Sequence, residues 1–489
     1  MYISKSQYTR AAQCHKSSWL YKHKKELLSA PDENKQAMFD SGNDVGELAQ
    51  QLFPGGELIE FDYKDFEGML SKTADLIASG CKTIYEASFS EEGVFVMNDI
   101  LHHGESGWEL YEVKASTATK AYHLDDIAIQ WYVLNQANIS LAKAFVVHLN
   151  NGYVKNGPLD ISKLFTFDDV TDQALERQDA IPDKLRTLDE VLTGDEPIIE
   201  IGNQCKTPFS CDFINHCWQG IPEQSVFNLY RLGTSKKFEL FHGGVVGIDD
   251  LPDDMVLNSI QKLQVDAHRL NEPIVDKEII SDFLDRLEEP LYHLDFETFQ
   301  NAIPRFDGQT SYQQIPFQYS LHIEQDGETD HIEYLVDEKI DPRRELSERL
   351  LNDLDKVGSI VAFNAGFEIG VIRSLAESFP DLSDDLLALN ERFVDLLKPF
   401  QQGGYYDEKM NGSFSLKAVL PAIFPDDSEL SYKGLSISNG QVASSIFSNL
   451  HTHQDPDAVN NIRNDLLAYC RLDTLAMVKI VGFLRDLVR

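Results

Sequence analysis

Two groups of acidic residues carry the strongest chemical signal in this sequence. In Leu291-Tyr292-His293-Leu294-Asp295-Phe296-Glu297, an apolar run that reads as a buried strand, alternation puts Asp295 and Glu297 on one face. Near the C-terminus, Tyr469-Cys470-Arg471-Leu472-Asp473 lies in a helical pattern, where i,i+4 spacing sets Tyr469 and Asp473 on one side. Between them, Glu368 opens a predicted helix in Asn364-Ala365-Gly366-Phe367-Glu368. Ionised carboxylates gathered in an apolar setting cost several kcal/mol unless a cation compensates them. Hard oxygen ligands suit Mg²⁺ or Mn²⁺. Two such ions, about 3.5–4 Å apart, stabilise both the attacking and the leaving oxygen of a phosphoryl displacement. Tyrosine, with an ordinary pKa of about 10, would position a water rather than take its proton.

The second group lies earlier. Asp99 sits in Val94-Phe95-Val96-Met97-Asn98-Asp99-Ile100, and Glu112-Val113-Lys114 follows on the next predicted strand, an Asp–x12–Glu–x–Lys pattern. Glu112 and Lys114 share a face. Two carboxylates would hold a metal ion, and the ammonium would stand beside the water it activates, which suits attack on a phosphodiester. Glu86 is a further acid on the preceding strand.

Six cysteines add a third feature. Cys205, Cys211 and Cys217 form a triplet with five residues in each gap, and Cys14 is the natural fourth ligand. A clustered set suggests metal rather than disulfides. Four thiolates suit an iron–sulfur cluster or Zn²⁺, and plain buried thiols are a third reading. Cys81 and Cys470 read as core or near-site residues.

At 489 residues the chain exceeds one core, so two or three domains are expected. Predicted strands at 83–89, 93–101, 108–115 and 142–149, with a helix at 123–136, make a first α/β unit. Residues 160–200 read as mainly helical. Residues 252–270 and 276–287 read as helices of a connector. Strands at 291–297, 317–323, 331–335 and 360–363, with helices at 342–354, 367–377 and 457–487, make a second α/β unit. The boundaries are 1–222, 223–287 and 288–489. The N-terminus has no signal-peptide pattern and no window reaches the length of a membrane helix, which reads as cytoplasmic with no membrane partner.

Forty-three basic against eighty acidic residues give a net charge of −37, the wrong sign for non-specific coating of nucleic acid. Contact with nucleic acid is therefore confined to local patches. The candidate is Lys5, Arg10, Lys16, Lys22, Lys24 and Lys25, whose alternative is a solvated helix face.

The first acidic group resembles the PD-(D/E)xK nuclease superfamily in its RecB-like branch, including Gln130 and Tyr132 on the helix after the strand. That resemblance implies a restriction-endonuclease-like domain in which Asp99 and Glu112 bind metal while Lys114 and Gln130 serve catalysis. Relatives carry a histidine where this chain has Gly46, and Glu47 is the candidate extra ligand. The cysteines, with Trp218 beside the last, resemble the [4Fe–4S] clasp of AddB and CRISPR-associated adaptation nucleases, although relatives often space the triplet C-x2-C-x5-C. The later group resembles DnaQ-like (DEDD) exonucleases of the ribonuclease H-like fold, in the subgroup with a motif tyrosine. By that likeness Asp295, Glu297, Glu368 and Asp473 bind two metals and Tyr469 orients water, with Glu368 standing where the family has Asp. Taken together, the chain resembles bacterial proteins that fuse the two units. The likeness implies a 3′→5′ exonuclease on DNA, with a helicase or a defence system as partner. RNA as substrate, or a nucleic-acid-binding scaffold with degenerate sites, is the alternative.

Overall fold

The computed structural model describes residues 3–29 and 33–489. The chain divides into two compact mixed α/β units. The first takes the chain up to Gly220 together with Asn301–Gln313, and the second takes Ile221–Gln300 and Gln314–Arg489.

In the first unit the sheet order is β2 (Glu57–Leu58), β3 (Thr83–Glu91), β4 (Val94–His103), β5 (Trp108–Lys114), β6 (Leu141–Leu149) and β7 (Phe165–Asp169), and β1 (Ile3–Ser4) pairs with β4. β3, β4 and β5 form an antiparallel meander, while β6 runs parallel to β5, as a helical crossover requires. β7 corrects the expectation of mainly helical structure over 160–200. Phe165 and Phe167 alternate with polar residues, and the strand closes the sheet antiparallel to β6. The helix α1 (Lys5–Gln13) starts at Ser4 with a reciprocal Ser4–Gln7 capping box, and α2 (His15–His23) follows after Cys14. The crossover helix α3 (Ala121–Gln136) is buried over most of its length beneath the sheet.

Asn301–Gln313 completes a core of this unit. Ala302 is buried among Val45, Tyr111 and Val147, and the Tyr312 hydroxyl donates to the Ala115 carbonyl at 2.7 Å. Asp307 accepts from Lys155 at 2.9 Å and from the Gly157 amide at 3.0 Å.

The second unit has a small ribbon and a larger sheet. β8 (Ile274–Val275) pairs with β14 (Tyr405–Tyr406). The five-stranded sheet is ordered β11 (Glu328–Leu335), β10 (Ile315–Gln325), β9 (Leu291–Phe299), β12 (Ser359–Ala362), β13 (Phe393–Asp395). β9 is central and covered on both faces, so its sequence is a near-continuous apolar run interrupted by the acids. Stretch 223–287 is grouped with this unit and gives Ile260, Ala267, Ile280 and Phe283 to its main core. Its helix begins at Ser259, not 252, because Asn258 caps it there through a reciprocal pair with Gln261. Four more helices matter below: α4 (Gly366–Ser378), α5 (Leu416–Ile423), α6 (Gly440–Leu450) and α7 (Pro456–Val488). α7, 33 residues and therefore about 50 Å long, packs on β9 and β10.

Candidate metal centres

In the first unit, Glu86, Asp99 and Glu112 form a row across β3, β4 and β5. Tyr85 and Ala87 pair with Ile100 and Asn98, and Ile100 pairs with Tyr111, so the three acids stand side by side. Glu86 has φ +55°, a conformation rare outside glycine, and drops out of the ladder there. The Asp99 carboxylate accepts from the Val113 amide at 2.6 Å.

Glu112 is heavily engaged. Its Oε1 takes Lys114 Nζ at 2.7 Å and Lys5 Nζ at 2.8 Å, and its Oε2 takes Gln130 Nε2 at 2.7 Å. Lys114 also donates to Asp126 at 2.6 Å, and Asn98 donates to Gln130 Oε1 at 2.7 Å. Burial, reinforced by the neighbouring acids, pushes Glu86 up to about 8 and Asp99 up to about 7. Burial would raise Glu112 too, but Lys114 and Lys5 outweigh it and hold that carboxyl well below its usual range. A cation approaching Glu112 through Oε1 must displace an ammonium group.

Glu47 is exposed and joins none of these contacts. Lys5 and Asp126 enlarge the expected set. Asp126 stands one turn before Gln130 on α3, so the i,i+4 rule carried a signal for it; nothing local announced that Lys5 reaches β5. The basic stretch at the N-terminus is not a free patch. Lys5 meets Glu112, Arg10 meets Asp212 at 2.6 Å, and Lys16 and Lys24 both meet Glu196. Lys22 donates to the Leu192 carbonyl and Lys25 lies over the Tyr21 ring. Each of these six cations finds a carboxylate, a carbonyl or an aromatic face.

The second unit gathers acids without such cations. Among the described residues, one group of three or more His, Cys, Asp or Glu side chains brings ligand atoms within 4.8 Å of one another: Asp295, Glu297 and Asp473. The two acids leave β9 on one face, and α7 lays Asp473 against them. Glu368, in the first turn of α4, is buried beside this group with Oε2 lacking any hydrogen-bond partner. Burial and then mutual repulsion push the acids up, Glu297 to about 8 and Asp295 well above the usual range, while burial and the nearby Asp395 take Glu368 to about 8. For Glu297 the charged form costs on the order of 5 kcal/mol more than in water. Asp395 is otherwise engaged, its Oδ1 accepting from the amides of Asn364 and Leu397 at 3.0 Å.

Tyr469 is buried against the group, and burial followed by Asp473 and Glu297 raises its phenol, so it stays protonated. Two residues without a local sequence signal complete the surroundings. The Tyr432 hydroxyl donates to Asp473, and Lys417, on α5, lies over the rings of Tyr432 and Tyr469. Cys470 Sγ sits 3.5 Å from Asp295 Oδ2, a near-site thiol.

The four expected cysteines come together. Cys14, between α1 and α2, and Cys205, Cys211 and Cys217 line one cavity with Phe213 and Ile214. No three of the sulfurs lie within 4.8 Å of one another. Cys81 donates to the Thr83 carbonyl and packs beside the core of the first unit.

Residues 292–415 match the family described as a domain of unknown function, DUF2779. The chain is 26% identical over 235 residues to Uncharacterized protein MG366 of Mycoplasma genitalium, covering 42% of this chain and 33% of that protein. It is 26% identical over 220 residues to the MG366 homolog of Mycoplasma pneumoniae and over 238 residues to Uncharacterized protein UU173 of Ureaplasma parvum, with the same coverage. The chain thus spans about a third of the length of these relatives. No helix among the described residues is long and apolar enough to cross a membrane. The protein is thus a mixed α/β chain in which one segment is similar to DUF2779 and which is distantly similar to uncharacterised mycoplasmal proteins.

Proposed function

We propose that the protein is a metal-dependent nuclease that hydrolyses phosphodiester bonds of DNA, with its principal site in the second unit. The observation that carries this reading is the convergence of Asp295, Glu297 and Asp473, with Glu368 and Tyr469 beside them. The donor set fits Mg²⁺ or Mn²⁺: hard carboxylate oxygens, mutually repelling, one of them an orphan at Glu368. When bound, such ions supply a lowered pKa for water and offset charge on the phosphate. The chain's own part is to hold the acids in place from β9, α4 and α7 and to exclude bulk water by burial. Tyr469 donates a hydrogen bond that orients the attacking water. This arrangement supports a ribonuclease H-like exonuclease assignment for the second unit.

In the first unit Asp99, Glu112 and Lys114 support the restriction-endonuclease-like assignment. The cysteine cavity supports a structural clasp there. Tetrahedral Zn²⁺ with Zn–S near 2.3 Å requires sulfurs about 3.8 Å apart. Four thiols on one cavity suit a [4Fe–4S] cluster, as the resemblance implies, with a single zinc ion as the alternative. A second reading, that the first unit binds nucleic acid without cutting it, is favoured by one observation: Glu112 is occupied by two ammonium groups.

The test is a titration of labelled single-stranded DNA with divalent cation. Cleavage that needs Mn²⁺ or Mg²⁺ and is lost in a Lys114→Ala, Asp295→Ala double variant supports the reading. Full activity in that variant, or a shift without cutting at every metal concentration, overturns it.

A further inference from the structure

The second unit's acids face a difficulty that the chain must solve locally: a strand of phosphates approaches a protein of net charge −37 and a site lined with carboxylates. Lys417 stands where it can answer that difficulty. It lies in the first turn of α5, and its side chain is exposed. Its Nζ sits 5.0 Å from the centroids of both Tyr432 and Tyr469 and donates to the Ser438 carbonyl at 2.6 Å.

Each of those three neighbours borders the acids. Tyr432 donates to Asp473, and Tyr469 shares α7 with it. Ser438 precedes Asn439, which caps α6, and at the next residue, Gly440, a Cβ would come within 3.4 Å of Glu297 Oε2. The ammonium is therefore held at the rim of the acidic group by two aromatic faces and a carbonyl. An ammonium has three donors, and one carbonyl uses one of them. Two remain for an anion, on a side chain whose freedom is already restricted.

Resting on the nuclease reading above, we propose that Lys417 is the phosphate-binding residue of the second site, contacting a backbone phosphate of single-stranded nucleic acid next to the scissile bond. Tyr432 and Tyr469 act as its positioning platform.

The experiment uses the full chain carrying Lys114→Ala, so that the second site alone is read. Binding of a labelled single-stranded DNA oligonucleotide is measured against salt with Ca²⁺ present, and cleavage kinetics with Mn²⁺. Lys417→Met lowers the slope of log affinity against log salt by about 0.7, the value for one phosphate contact on a single strand. It raises KM roughly tenfold, as for one lost charge-assisted hydrogen bond, with a smaller effect on kcat. Lys417→Arg restores the slope, and Mn²⁺ binding is equal to or tighter than that of the parent. An unchanged slope and KM overturn the proposal, as does weakened Mn²⁺ binding, which marks a lysine that merely builds the acidic group. If the parent cuts DNA and loses that activity with Asp295→Ala while Lys417→Met matches the parent, the lysine assignment alone falls. If the parent neither binds nor cuts with any of these cations, the nuclease reading falls and takes the proposal with it.

Discussion

Glu112 and Glu297 are both buried glutamates set among other acids, yet their surroundings drive them in opposite directions. Glu112 has Lys5, Lys114 and Gln130 on its oxygens and stays ionised without help. Glu297 faces Asp295 and Asp473 with Lys417 only at the rim, and burial pushes it up to about 8. The difference lies in where the compensating charge comes from. The first unit carries its own cations on α1 and β5, whereas the second leaves a deficit that an external cation must fill. Dependence on metal should therefore be steeper in the second unit.

The largest expected effect separates the two regions directly. Asp295→Ala should cut Mn²⁺-dependent DNA degradation by about a thousandfold or more, the scale on which removing a group essential for metal catalysis acts. Lys114→Ala alone should cost far less. Equal losses in time courses of the two single variants would break the comparison.

Next comes stability against pH. Glu297 and Glu368 ordinarily titrate near 4.5 and are pushed up to about 8 in the folded chain. The folded state thus keeps protons that the unfolded state releases. Without metal their contribution is complete below about 4.5 and is lost as pH rises toward 8. Glu112 has the opposite sign: its contribution is present above its ordinary value and is lost as pH falls through its lowered one. Thermal unfolding in EDTA should show Tm declining over the upper window, with Mn²⁺ reversing the decline and releasing protons on binding. Glu86 and Asp99 shift the same way as Glu297, so Glu297→Gln is the informative control. A metal-free Tm equally steep in that variant would remove the second unit's claim to a charge deficit.

Of intermediate size, Cys211→Ser should remove the broad visible absorbance of anaerobically purified protein and lower the Tm of the first unit. Colourless wild-type protein containing zinc would replace the cluster with a single ion. The smallest effect belongs to Glu47→Ala, expected within about 0.5 kcal/mol in stability and silent in Mn²⁺ stoichiometry. A lost equivalent of Mn²⁺ would return Glu47 to the first site.

Residues that act through a local period were legible from sequence. Strand alternation set Asp295 beside Glu297, the helical repeat set Tyr469 over Asp473, and both placements hold on β9 and α7. The expected central strand of the second unit, 291–297, is β9 with two further residues, and the helix expected at 457–487 is α7 with one more at each end. Phe165–Asp169 was missed because five residues with one clear alternation compete poorly with helical neighbours. Lys5, Lys417 and Tyr432 were illegible for a different reason. Their partners lie 107 residues away for Lys5 and 41 for Tyr432, and no local pattern encodes which distant chain a flexible or aromatic side chain will meet. The cysteines fall between these cases. Their types and clustering announced a common site, while the separation of their sulfurs is set by the fold alone.

The assignment of Asn301–Gln313 to the first unit has a bearing on how the protein is made. The chain is already committed to β9 when it returns to supply Ala302 and Tyr312 to a core begun by Val45 and Tyr111. A ribosome must therefore deliver some three hundred residues before the N-terminal body has all its parts. A truncation ending at Gly220 would expose the apolar surface that this insertion covers, so a fragment prepared in that way is expected to aggregate where the intact polypeptide does not.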